Sequence, residues 1–343
     1  MPVVLNFIER LVVLGLNQGP APMLDFFGAL AFRAFCAGVR LGVFDVLRSG
    51  PLTAAEVARR IEADERGTTL LLQALEALGY VKERQGRYAN TAMTTRWLPI
   101  LAEGVAHFES EVGQWVHLED SIRAGKPTVN WYERLAQEPQ RWPEYQAGML
   151  AVARITADEI AAKVKLPPSA RRLLDVGGGH GFHSIRICRR YPRLSATVFD
   201  LPQALAAARR LIAAEEVGDR VSVQEGDYWE DDLGEDYDAA LVFNVLLEHS
   251  PGQNTELLRR VARALNPGGV VVILDLLRGR LMGSAARAVA SLEGLSVFVG
   301  TGGQAYAFDD VAGWLRVAGF ARPRRIGLLR SPGLGLAVAT KVN

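Results

Sequence analysis

The chain has 343 residues, 49% of them apolar and 22% charged, enough for more than one buried core and ordinary for a soluble globular protein. A formal net charge of +1 leaves no basic excess for neutralising nucleic-acid phosphates. Two cysteines, Cys36 and Cys188, are too few for a disulfide framework or a zinc site, so a reducing cytoplasm fits.

The opening "MPVVLNFIERLVVLGLNQGPAPMLDFFGALAF" is apolar, but Glu9, Arg10 and Asp25 interrupt it, and Pro20 and Pro22 split it. It reads as neither a signal peptide nor an 18-residue membrane span. Two amphipathic segments, 3–16 and 23–38, would expose large apolar patches on a monomer and predict a homodimer. Residues 27–98 predict three helices and a β-ribbon. "FRAFCAGVRLGVFDVL" has helical spacing, Thr53 and Glu56 stand at capping-box spacing, and Gly79 ends the third helix. A hairpin around Gln85-Gly86 completes a winged-helix module. Its third helix carries Glu65, Arg66 and Glu76 and is otherwise apolar. Such a face buries itself, which favours dimerisation over DNA binding.

Residues 101–165 read as helical, with Trp115, His117, Trp131, Trp142, Tyr145 and Met149 along them, mostly as core. From 172 onward strands and helices alternate: "RRLLDVGGG", "SATVFDL", "RVSVQEGD", "YDAALVFNV" and "GGVVVILDLL" are strands with helices between. The fold class is therefore α/β, a doubly wound Rossmann-like domain whose ligands bind beyond the carboxyl ends of the strands. The expected domains are 1–100 for dimerisation, 101–165 as a helical substrate-pocket segment, and 166–343 for the cofactor.

"LLDVGGGHGFHS" places Asp175, Gly177, Gly179 and Gly181 between a strand and a helix, so that backbone can approach a ligand. Asp200 ends the second strand, where a carboxylate can accept both ribose hydroxyls. Phe182 stands where a dinucleotide site would have its third glycine. Acidic residues at successive strand ends, Asp200 with Leu201 and Asp227 with Tyr228, suit an adenosine lacking phosphates. His180 and His183 flank the loop without other ligands at metal spacing, so no metal is expected.

"LLDVGGGHG", "FDLP", "GDYW", "FNVL" and "LNPGG" together resemble the class I S-adenosylmethionine-dependent methyltransferases. The branch they resemble is the plant-type and acetylserotonin O-methyltransferase-like one, and the resemblance spans nearly the whole chain. It implies an N-terminal winged-helix dimerisation domain and S-adenosylmethionine as cofactor. It also implies a cofactor site lined by Asp175, Gly177, Gly179, Asp200, Leu201, Asp227, Tyr228 and Asn244. Tyr145 and Met149 would lie near a small-molecule substrate, with Trp115, His117, Glu293 and Tyr306 as further candidates.

The chain departs from that family at the residue that takes the substrate proton. The usual histidine position is Leu247, followed by Glu248 and His249. Ser250 with Gln253 and Pro251 predicts a capped helix start, which leaves His249 in the preceding loop at the correct edge of the sheet. Glu248 and His249 are the candidate catalytic groups. The loss of the histidine shifts weight toward S-, C- or acidic O-methylation, because an anionic or electron-rich acceptor needs little more than proximity. Two rival readings remain. One is a protein that binds the cofactor for a cyclisation, elimination or rearrangement, and the other is a ligand-responsive DNA-binding regulator.

Overall fold

The computed structural model describes residues 7–215, 217–279, 283–331 and 333–342, in two compact units that divide between Val105 and Ala106. Residues 3–6 of the first predicted apolar segment lie outside the described residues.

In the first unit, the run read as one helix is broken. The helix Met23–Arg40 stops because Gly42 takes a left-handed φ of 73°, and a short turn Val43–Val46 follows. A glycine inside an apolar period hides such a break from sequence reading. Thr53 caps Ala54–Arg60 with the predicted capping box: Thr53 Oγ1 accepts the Glu56 N–H, and Glu56 Oε2 accepts the Thr53 N–H. Glu65–Ala77 buries Thr68, Leu72 and Leu75. Strands β1 (Val81–Arg84) and β2 (Arg87–Asn90) pair around Gln85 and Gly86, both left-handed, as a two-residue hairpin demands. The unit is the expected winged helix. Phe7, Ile8, Leu11, Leu14, Phe26, Phe27 and Leu30 expose about half or more of their surface.

The second unit is built on an eight-stranded sheet. Its strands are β3 (Arg172–Val176), β4 (Ser195–Asp200), β5 (Val221–Glu225), β6 (Tyr237–Phe243), β7 (Leu265–Arg278), β8 (Tyr306–Ala307), β9 (Phe320–Gly327) and β10 (Leu334–Lys341). The order is β5-β4-β3-β6-β7-β10-β9, with the two-residue β8 beside the end of β7. β3 to β7 run parallel, and β10 is antiparallel to both neighbours. The central strands are buried on both faces, hence the continuous apolar runs. Leu174, Val176, Ala240 and Val242 pack with Leu257, Val261, Val311 and Leu315. Their alternates Leu173, Ala239 and Leu241 pack with Ile160, Ile185, Ile187 and Leu205 on the other face. Among the described residues, no helix is long and apolar enough to cross a membrane.

Register fixes the site. Val176 lies beside Phe199 and Val242, and Asp200 beside Glu225, so four loops emerge together at one edge. The helix Pro251–Ala264 starts as predicted: Ser250 Oγ accepts the Gln253 N–H, Gln253 Oε1 accepts the Ser250 N–H, and Pro251 fills the first helical position.

Candidate active site

One carboxylate ties the first two loops together. Asp200 Oδ2 accepts the Gly179 N–H at 2.8 Å, and Oδ1 accepts its neighbour Leu201 N–H at 2.7 Å. Burial pushes Asp200 up to about 6, with Asp227 adding to the rise. Gly178 cannot carry a side chain, since a Cβ there would stand 2.7 Å from Asp175 Cγ and from Val198 Cγ1. Asp175 is thus sealed beneath the loop, 2% exposed, with Oδ2 accepting the Ser184 hydroxyl at 2.6 Å. Burial lifts it to about 7. Of the two, Asp200 is the less buried, and Asp175 is tied to the helix after the loop through Ser184.

The third loop brings Asp227 and Tyr228 to the same edge. Asp227 Oδ1 accepts the Trp229 N–H, and the Tyr228 ring lies over Gly177, 3.7 Å from where its Cβ would be. Leu201 and Asn244 are exposed beside them, Asn244 in the left-handed region with its N–H donating to the Leu274 carbonyl.

His249 sits in the loop before its helix, as expected, and its side-chain partner is Tyr228. Its Nε2 meets the Tyr228 hydroxyl at 2.9 Å, and the Trp229 ring stands edge-on 5.0 Å away. The Tyr306 hydroxyl, a substrate candidate from sequence, donates to the His249 carbonyl at 2.6 Å. Burial pushes His249 down to about 4, so the ring is neutral at pH 7 and a weak base.

Glu248 has the opposite character. The Tyr132 hydroxyl lies 2.8 and 2.9 Å from its two oxygens, and 3.2 Å from the Tyr145 hydroxyl. Burial pushes Glu248 up to about 8; the Tyr132 bond lowers it, and Asp275 and Asp200 add to the rise. Tyr132 and Tyr145 are themselves raised, first by burial and then by Glu248, so both stay protonated. Tyr228 is raised first by burial and then by the fields of Glu248, Asp200, Asp227 and Tyr145. Leu247 points elsewhere. It packs with Leu276 and Ala305, while its N–H donates to the buried Asp275 at 3.1 Å. No proton acceptor occupies the family's position.

Tyr132, Asp275 and Gln146 were not singled out from sequence. Asn130 caps the helix Trp131–Gln137, its Oδ1 accepting from the Tyr132 and Glu133 N–H groups, and that cap sets where the Tyr132 side chain points. The cap was readable in "VNWYER"; the partner was not. Among the remaining candidates, Met149 is half-buried on the helix Trp142–Lys163, and Trp115 Nε1 donates to Ser296 Oγ, which donates to Glu111. Glu293 is raised to about 7 by desolvation and by Glu111, and His117 is half-buried in the short turn Trp115–His117. Glu248, His249, Phe298, Gln304 and Tyr306 line an open groove of ≈ 480 Å³.

The residues fit S-adenosylmethionine. A side-chain-free cradle at Gly177–Gly179, a ligand-facing carboxylate at the end of β4 and an exposed Leu201 beside it can take the adenosine. The carboxylates at the ends of β4 and β5, Asp200 and Asp227, suit a cationic ligand and disfavour a pyrophosphate.

Comparison with known proteins agrees. The family model for the O-methyltransferase domain matches residues 115–321, and that for the O-methyltransferase dimerisation domain matches 24–99. The chain is 32% identical over 316 residues to the 3-hydroxy-5-methyl-1-naphthoate 3-O-methyltransferase of Streptomyces sahachiroi, covering 90% of each. It is 25% identical to the L-tyrosine C(3)-methyltransferase of Streptomyces lavendulae, covering 92% of this chain and 91% of that one. Human N-acetylserotonin methyltransferase, solved with S-adenosylmethionine, has the same fold over 100% of both chains, with a TM-score of 0.82 at 24% identity.

Proposed function

The chain belongs to the O-methyltransferase family and is an S-adenosylmethionine-dependent methyltransferase of small molecules; on that premise we propose that it methylates a hydroxylated aromatic acceptor, with Glu248 taking the proton. The observation that carries this is the carboxylate of Glu248, bracketed by the Tyr132 hydroxyl and set in one field with Asp200. When bound, the cofactor supplies an electrophilic methyl on a sulfonium, and S-adenosylhomocysteine is what remains after transfer. The chain's own part is to hold a phenol against Glu248, accept its proton on a Glu248 oxygen, and keep water away with the ring cluster of Trp131, Tyr132, Trp142 and Tyr145. A general base near its working pH is worth about 10²–10⁴-fold.

Release of S-adenosylhomocysteine together with a methylated phenol, across a panel of hydroxyaromatics, tests this reading; turnover without S-adenosylhomocysteine would favour the cyclisation or rearrangement rival. A phenolate is also nucleophilic at its ortho carbon, and the likeness to an L-tyrosine C(3)-methyltransferase favours ring-carbon transfer as a second reading. The position of the new methyl by NMR separates the two. The acceptor carries no carboxylate at this end. Glu248 and Glu111 both act on Tyr145, Glu111 also acts on Glu293, and burial first of all raises Glu248 and Glu293, so a further buried carboxylate would be disfavoured.

His249 positions Tyr228 and takes no proton. His249→Ala therefore keeps turnover within about tenfold of wild type, well short of a general base's worth; steady-state kinetics showing a loss beyond a hundredfold would reverse the two roles.

The protein works as a homodimer in a reducing compartment. Support comes from the dimerisation-domain match, from the apolar side chains exposed between Phe7 and Leu30, and from two buried free thiols. Light scattering at micromolar concentration should give about 75 kDa, twice 37.4 kDa, and a monomer mass would refute it.

A further inference from the structure

The helix Trp142–Lys163 turns a buried amide toward the glycine loop. Gln146 is 5% exposed, and its Oε1 has no hydrogen-bond partner. A side chain on Gly179 would stand 3.2 Å from that oxygen and 3.4 Å from the amide nitrogen. Gly179 thus lies between two acceptors, with its N–H on Asp200 and its Cα face toward Gln146. A buried acceptor without a donor carries a desolvation cost that nothing in the ligand-free chain offsets.

Three other side chains at the loop are already engaged, while His183, whose Nδ1 also has no partner, packs its ring edge-on against Phe243. Asp175 is sealed under Gly178 and holds Ser184. His180 Nδ1 accepts the Phe182 N–H and its ring also bonds the Met149 backbone, while burial keeps it neutral. Asp200 uses both oxygens on loop N–H groups while facing the adenosine side. What the loop lacks is a partner for the far end of an elongated ligand, the end that carries an ammonium.

We propose that Gln146 receives the amino-acid end of the cofactor, its side-chain carbonyl accepting a hydrogen bond from the ammonium. The proposal rests on the cofactor assignment above and extends it to a residue from the helical segment that precedes the sheet. It gives the orphaned oxygen its donor and sets the ligand across Gly177–Gly179, with the ribose at Asp200. Position 179 suits glycine on two counts, a left-handed φ of 51° and the Gln146 amide oxygen 3.2 Å from where a Cβ would stand.

The test compares two ligands that differ only at that end. S-adenosylhomocysteine carries the ammonium and carboxylate; 5′-methylthioadenosine has the same adenosine and thioether and lacks both. Isothermal titration of the full chain should show Gln146→Met weakening S-adenosylhomocysteine by about tenfold or more, the size of one hydrogen bond to a charged group. Binding of 5′-methylthioadenosine should stay within about twofold. Gln146→Glu, which keeps an acceptor, should hold S-adenosylhomocysteine at least as tightly as wild type. Unchanged S-adenosylhomocysteine affinity in Gln146→Met would overturn the proposal. Equal weakening of both ligands would overturn it too, by showing that Gln146 only shapes the loop. Failure of the wild-type chain to bind either ligand would overturn the cofactor assignment and the proposal with it.

Discussion

Glu248→Gln should lower turnover by about 10²–10⁴-fold while leaving cofactor affinity close to wild type, the signature of a lost general base. Glutamine keeps the shape and can still accept from the Tyr132 hydroxyl, so the packing survives and the proton acceptor does not. The pH dependence provides the second arm. In the free chain Glu248 is pushed up to about 8 by burial, so its carboxylate form appears only as pH rises through that value. The kcat/KM profile of the wild type, which reports the free enzyme, should therefore climb through a limb near pH 8 and level off above it. Tyr132 stabilises the charged form by donating to both oxygens; its removal in Tyr132→Phe should move the limb to higher pH. The limb should vanish in Glu248→Gln. Turnover by that variant within tenfold of wild type, with the limb intact, would remove Glu248 from the chemistry.

What could be read from the chain and what could not divides along sequence distance. The strands announced themselves as apolar runs because a parallel sheet buries both faces, and the glycines and carboxylates at their ends are local features. Both capping boxes were legible for the same reason: donor and acceptor lie three residues apart. The break at Gly42 was hidden, since an apolar helical period runs straight through it. The proton acceptor was half legible. Leu247 at the usual histidine position could be seen, and Glu248 beside it, but the Tyr132 that conditions Glu248 lies 116 residues away. Asp275, which holds the Leu247 backbone, lies 28 residues on, inside a strand that reads as pure core. Gln146 lay one residue from Tyr145 and gave no sign, because an amide on a helix is ordinary until packing strips its partner. Side chains whose role comes from a long-range contact carry no local spacing by which to find them.

Asp200 is where the cofactor reading is most exposed to failure. Asp200→Ala should weaken S-adenosylhomocysteine by roughly 1.5–3 kcal/mol, the worth of hydrogen bonds to a charged group. The loss has two sources that a second variant separates. The carboxylate is placed to accept from a ribose diol, and it also anchors the Gly179 and Leu201 N–H groups. Asp200→Asn gives up the charge but keeps one of the two loop acceptors, so the ligand contact is read from the affinity it loses beyond any change in ligand-free melting temperature. Asp200→Ala forfeits both, and an unchanged melting temperature without ligand would show that the loop's anchoring matters only for binding. The pH arm runs in the same direction as that of Glu248, but at lower pH. Burial raises Asp200 to about 6, so the ionised acceptor is present above that value and lost below it. Affinity for S-adenosylhomocysteine should therefore fall as pH drops from 7 to 5 in the wild type, and stay flatter over that window in Asp200→Asn. Titration calorimetry showing wild-type affinity in Asp200→Ala at pH 7 would place the ribose elsewhere, and the assignments of Leu201, Asp227 and Tyr228 along that edge would fall with it.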